Sequence, residues 1–145
     1  MRKKINILVI EDNEPDYVLL EKALSQIEDI DITIINMENG QKGIDYVFKS
    51  GKFKNVETPD IIILDLNLPV KNGFEVLESI KSNPLYKIIP IIIYSTSTED
   101  GDVHSSYALY ANSYISKTFD VKELFEKIRA FGEYWIKSVE IPYSD

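Results

Sequence analysis

Six polar side chains follow short apolar runs, and their types suit phosphoryl chemistry. Glu11 and Asp12 come directly after Ile5–Ile10, Asp65 after Ile61–Leu64 with Asn67 two residues on, Ser95 near the end of a run from Ile88, and Lys117 after Ser113-Tyr114-Ile115. Three carboxylates in one pocket repel one another, and a divalent cation among them makes the arrangement reasonable. Mg²⁺ suits such a set, because it takes hard oxygen ligands, keeps waters and completes its shell with a phosphate. A carboxylate beside such an ion can attack phosphorus to give an aspartyl phosphate. The ion and a lysine, here Lys117, then neutralise the developing charge, and the Ser95 hydroxyl can donate to a phosphoryl oxygen.

These residues need a scaffold that gathers them. Ile5–Ile10 and Ile30–Met37 read as strands, and the continuous runs Ile61–Leu64 and Ile88–Ser95 read as strands buried on both faces. Ser113–Ile115 is a fifth, short strand. Between them lie helical patterns: one opening at Asn13-Glu14-Pro15 with Leu20, Ala23, Leu24 and Ile27, one over 40–50 with Ile44, Val47 and Phe48, and one with Phe74, Leu77 and Ile80 ending near Asn83-Pro84. A weaker pattern covers 98–109. A strong stripe of Val121, Leu124, Phe125, Ile128, Phe131 and Trp135 begins at an Asp120-x-x-Glu123 capping box. Residues 51–59 form a polar loop.

Alternating strands and helices predict an α/β fold: a doubly wound, five-stranded parallel sheet with five helices. Ligands of such sheets sit at the carboxyl ends of the strands, at the switch point. In the order 2-1-3-4-5, strands 1 and 3 are neighbours there, which places Asp12 beside Asp65, 53 residues away (65 − 12). Each residue alone also has a structural reading: capping acids for Glu11 and Asp12, a turn aspartate for Asp65, a solvated lysine for Lys117. Their convergence on one edge argues against that reading for the set.

Length and charge narrow the function. A chain of 145 residues is one domain with a self-sufficient core. The absence of cysteine excludes disulfides and thiol chemistry. A net charge of −8 speaks against nucleic acid or an anionic membrane as partner. The apolar run after Met1-Arg2-Lys3-Lys4 is too short for a signal or a span, so a cytoplasmic protein is expected.

ILVIEDN at 7–13, IIILDLNLPVKNG at 61–73, YSTS at 94–97 and SYISK at 113–117, in that order, resemble the receiver domain of bacterial two-component response regulators. The resemblance implies a flavodoxin-like receiver over residues 1–145, with its core at about 4–134 and an extension at 135–145. It makes Asp65 the phosphoacceptor, Glu11, Asp12, Asp65 and Asn67 (through its carbonyl) the Mg²⁺ site, Ser95 and Tyr114 the switch residues, and Lys117 the phosphate-contacting lysine. It implies a signalling switch with at most slow self-phosphorylation and self-dephosphorylation. The phosphoryl donor is a sensor histidine kinase, and output passes through protein contacts or through a histidine phosphotransfer protein. The 51–59 loop, NSYISK and the terminal YWIKSVEIP resemble stand-alone regulators of phytochrome-type and related kinases.

One departure is Thr118, where the family usually has a proline after the lysine in a cis bond: either the bond is cis here, or it is trans and Lys117 is aimed differently. A pseudo-receiver without phosphorylation disagrees with the intact acids and lysine. An FMN carrier disagrees with the Glu11–Glu14 loop, which would repel a phosphate. A phosphatase of the same chemistry wants an acid at Asn67. Finally, Tyr134, Trp135, Ile136, Val139, Ile141 and Pro142 add more apolar surface than one face of a terminal helix buries. This predicts a homodimer through the C-terminal half; the alternative is a tail folded back on its own domain.

Overall fold

The computed structural model describes residues 3–96 and 99–142. Its elements are β1 (Lys3–Ile10), α1 (Glu14–Ser25), β2 (Ile30–Met37), α2 (Gly40–Val47), β3 (Ile61–Leu64), α3 (Gly73–Lys81), β4 (Ile91–Ser95), α4 (Asp100–Ala108), β5 (Ser113–Ser116) and α5 (Val121–Phe131). The strands are all parallel, in the expected order β2-β1-β3-β4-β5. No helix among the described residues is long and apolar enough to cross a membrane.

Alternation along β1 splits the core into two layers. Ile5, Ile7 and Val9 face α1 and α5, packing with Leu20, Leu24, Leu124 and Ile128. Leu8 and Ile10 face the other way, onto Ile44, Val47, Leu77 and Ile80 from α2 and α3. β3 and β4 are buried along their whole length, which is why they read as unbroken apolar runs.

Several boundaries differ from the sequence reading, each for a local reason. β4 starts at Ile91, not Ile88: Pro90 has no N–H for the ladder, although its carbonyl accepts from the Ile62 N–H at 2.9 Å. Ile89 is buried but Ile88 is 53% exposed. α2 stops at Val47, where Lys49 turns left-handed (φ 58°). Thr98, the expected start of α4, lies outside the described residues, as does Ser97 of the YSTS motif. Val121, expected in the core stripe, is 49% exposed.

The Asp120 cap forms, accepting from the Lys122 and Glu123 N–H groups at 2.9 and 3.3 Å, but the box is not reciprocal. Thr118 Oγ1 accepts the Asp120 N–H and donates to Glu123 Oε2, both at 3.2 Å, so Thr118 takes the place of the direct return bond.

The stripe through Trp135 does not continue as one helix. After Phe131 the coil widens into a π-type segment, Gly132–Ser138, which turns Ile136 fully into the first core layer. Ile141 is buried there too, and Trp135 and Val139 pack against it. Lys3 Nζ donates to the Ile136 carbonyl at 2.9 Å. Much of the apolar tail therefore folds back on its own domain. The premise that a monomer leaves it all exposed does not hold; Tyr134, at 57%, is the large side chain left outside.

In the β3–α3 loop Val70 has φ 69° and is 75% exposed. A β-branched residue in the left-handed region is strained by about 1–2 kcal/mol, and an exposed side chain recovers little by packing. Val70→Asn is expected to stabilise the domain by about 1 kcal/mol, because asparagine tolerates this region. Urea unfolding checks it; an unchanged or lower midpoint counts against the strain.

Candidate phosphoacceptor and metal site

The β1–β3 register pairs Ile10 with Leu64, so the next residues, Glu11 and Asp65, leave the sheet side by side. Backbone bonds hold both: the Glu11 N–H donates to the Met37 carbonyl at 3.0 Å and the Asp65 N–H to the Ile10 carbonyl at 3.1 Å. Close packing behind Asp65 depends on Gly73. A Cβ there would lie 2.3 Å from the Asp65 carbonyl oxygen, and the Gly73 N–H donates to the Leu66 carbonyl at 2.9 Å. Asn72 and Glu75 then start α3 with a reciprocal capping box.

Glu11, Asp12 and Asp65 bring one carboxylate oxygen each to within 4.8 Å of one another. Glu11 and Asp65 are buried and Asp12 is exposed. Lys117 extends over them from the end of β5, where its N–H donates to the Ser95 carbonyl at 2.8 Å. Its Nζ lies 2.6 Å from Glu11 Oε1, 3.1 Å from Asp65 Oδ2 and 2.9 Å from Asp16 Oδ2. No cis peptide bond occurs among the described residues, so the Lys117–Thr118 bond is trans. The lysine nevertheless reaches the acids, so a different aim is not the outcome.

Ser95 is fully buried at the end of β4. The Asn67 N–H lies 3.3 Å from Asp65 Oδ1 as the chain turns past the site. Tyr114 sits on β5, opposite Ile93 and against the second core layer. Two neighbours were missed by the sequence reading. Asp16 reads as an ordinary first-turn acid, and Tyr94 sits inside an apolar run; its buried ring lies 5.4 Å below Lys117 Nζ. Only the fold brings them to the lysine.

Burial pushes Glu11 up from 4.5 to about 7; the Lys117 ammonium, 2.6 Å from its Oε1, opposes this and the Asp65 charge adds to it. Burial pulls Lys117 down, but its bonds to Glu11 and Asp16 and the charge of Asp65 outweigh that and leave it raised. Burial also raises Tyr94 to about 12. With three carboxylates on one ammonium, and Asp12 beside them without a hydrogen bond or ion pair among the described residues, the cluster carries excess negative charge. Its hard oxygen donors fit a Mg²⁺-type ion.

The Glu11 shift has a sign. The fold binds this proton more tightly than the unfolded chain, so its stabilisation is complete below pH 4.5 and lost as pH rises through about 7. A cation entering the cluster competes with the same proton. Mg²⁺ affinity is therefore expected to fall below pH 7, by up to about tenfold per pH unit. Calorimetric titration at pH 6 and pH 8 checks this; equal affinities would contradict it.

An all-parallel sheet in this order, with acids, a serine and a lysine at its switch point, defines the receiver class of α/β domain. The response regulator receiver domain family matches residues 7–129. Response regulator Rcp1 of Synechocystis sp. is 36% identical over 136 residues, spanning 94% of this chain and 92% of Rcp1. The structure of the phosphorylated cyanobacterial phytochrome response regulator RcpA superposes with a TM-score of 0.90 at 36% identity, over 98% of this chain and 99% of RcpA. The Mn²⁺-bound form of Rcp1 does so with a TM-score of 0.90 at 36% identity, over 95% and 99%. The chain belongs to the response regulator receiver domain family.

Proposed function

We propose that this receiver is a phosphorylation switch in which Asp65 takes a phosphoryl group from the phosphohistidine of a sensor histidine kinase of the phytochrome type. The observation that carries the reading is Asp65 itself, a buried carboxylate with Lys117 Nζ at 3.1 Å and Glu11 and Asp12 oxygens within 4.8 Å. The relatives support the input side: RcpA is a phytochrome response regulator, seen phosphorylated, and Rcp1 binds Mn²⁺.

An Asp65 oxygen attacks phosphorus in line as the P–N bond breaks, and the electron pair returns to the imidazole of the donor. Lys117 meets the charge that appears on the phosphoryl oxygens. Glu11, Asp12, Asp65 and the Asn67 carbonyl would hold Mg²⁺, which when bound neutralises charge on the transferring group. Ser95, at the end of β4, then donates to a phosphoryl oxygen, and with Tyr114 shifts the population of states on the α4–β5–α5 face. The whole chain works as one cytoplasmic domain, without turnover catalysis beyond slow self-phosphorylation and self-dephosphorylation. Output passes by protein contact or onward to a histidine phosphotransfer protein. A homodimer through the C-terminal half would use Tyr134 and the groove between β5 and the tail, lined by Ile115, Lys127 and Trp135.

The metal arm of this proposal is testable without a kinase. Mg²⁺ at a hundred times its Kd is expected to stabilise the fold by about 2.7 kcal/mol. Asp12→Ala is expected to remove most of that gain, read as the Mg²⁺-dependent rise in Tm. An equal rise in the variant places the ion elsewhere.

A further inference from the structure

We propose that Asp16 is a positioning residue for Lys117, holding its ammonium toward the open mouth of the site so that it can meet an incoming phosphoryl group. The inference rests on the reading of Asp65 as phosphoacceptor. Lys117 has three ammonium protons and three carboxylate partners: Glu11 at 2.6 Å, Asp16 at 2.9 Å and Asp65 at 3.1 Å. Glu11 and Asp65 belong to the acid cluster; Asp16 does not. It stands in the first turn of α1, with its own N–H bonded to Asn13 Oδ1 at 2.9 Å, so its backbone is held.

The burial gradient sets the direction of the pull. The side chains of Glu11 and Asp65 are 2% and 6% exposed and that of Lys117 is 7%, whereas Asp16 is 36% exposed. Two partners draw the ammonium inward and one draws it outward, while the Tyr94 ring at 5.4 Å limits its descent on one side. When Asp65 becomes an acyl phosphate, negative charge moves from its carboxylate to the phosphoryl oxygens. Lys117 must then move its Asp65 hydrogen bond outward while keeping the one to Asp16. Asp16 makes that short, because it already holds one proton on the solvent side. Without it the ammonium settles on Glu11 and Asp65, where it tightens its pair with the nucleophile and stands further from the phosphoryl oxygens.

The test is a double-mutant cycle on labelling by acetyl phosphate with Mg²⁺, using wild type, Asp16→Asn, Lys117→Ala and the double variant. Asp16→Asn is expected to slow labelling about tenfold, the size of a coupling between side chains in contact, and to add nothing once Lys117 is alanine. Asp16→Glu, which keeps the charge, is expected to recover most of the rate. In metal-free protein the ¹H–¹⁵N cross-peak of the Lys117 ammonium is expected to shift in Asp16→Asn as the ammonium loses its outer carboxylate and settles on Glu11 and Asp65. The same slowing in both lysine backgrounds, or an unchanged cross-peak, overturns the proposal. Wild type that takes no label at Asp65 sinks the phosphoacceptor reading instead, and the cross-peak alone then decides whether Asp16 holds the lysine.

Discussion

Asp65→Asn is expected to reduce labelling by acetyl phosphate and Mg²⁺ to background while the domain remains folded. The amide is nearly isosteric with the carboxylate, so the packing against Gly73 and the Asp65 N–H bond to Ile10 survive. What disappears is an anionic oxygen able to attack phosphorus. The substitution also removes one of the three carboxyl groups of the cluster, and with it a negative charge. Repulsion on Glu11 then eases, and its proton is expected to leave at lower pH than in wild type. Two readouts therefore move together: phosphoryl uptake, seen as a mass increment on the intact protein, and the pH at which Mg²⁺ binding weakens. Label at wild-type level in Asp65→Asn, on the same peptide, would show that another residue is the acceptor. Loss of label together with loss of the folded circular dichroism spectrum would be a packing effect, and Asp65→Glu then separates the two. It keeps the charge but extends the carboxylate by a methylene, so fold and Mg²⁺ binding are expected to persist while labelling falls.

The sheet was legible because its signal is local. Runs such as Ile61–Leu64 are short and β-branched, the form of strands covered on both faces, and the order of strands and helices then leaves few topologies. Glu11, Asp12, Asp65 and Lys117 were legible as a group because each follows a strand, and parallel strands carry whatever follows them to one edge. Asp16 was not legible. Its role depends on a 2.9 Å contact across 101 residues, and on sequence alone it satisfies the helix dipole like any first-turn acid. Tyr94 was hidden in the same way, since an aromatic in a buried strand needs no further explanation. Ile88 was read into β4 and Val121 into the buried stripe of α5 by hydropathy, but hydropathy does not see the missing Pro90 N–H or the solvent-facing first turn of α5. The tail was half legible. Its apolar excess was evident, whereas the π-type widening that turns Ile136 inward is a backbone event with no periodic signature.

That widening leads to the second large effect. Ile136→Ala is expected to destabilise the domain by roughly 2–5 kcal/mol, the range for emptying a fully buried aliphatic site, and to lower Tm by on the order of 5–15 °C. Ile136 is fully buried among Ile5, Leu24, Ile128 and Phe131, and its carbonyl accepts from Lys3 Nζ at 2.9 Å, so the tail joins both chain ends to one core layer. Tyr134, two residues away, is 57% exposed and beside the β5 groove, so Tyr134→Ala is expected to cost little stability in a monomer. The pair separates two uses of the same segment. If the tail serves the domain alone, Ile136→Ala lowers Tm, Tyr134→Ala does not, and the mass by light scattering is that of one chain in every case. If the tail also joins two copies, wild type at tens of micromolar has twice the mass, with or without beryllofluoride and Mg²⁺. Tyr134→Ala then weakens that association, because an exposed aromatic at the centre of an interface carries a large share of its energy. Truncation after Gly132 removes Ile136 and Tyr134 together and is expected to destabilise the domain whichever holds. A truncated chain as stable as the full one would mean that Ile136 and Ile141 do not belong to the core.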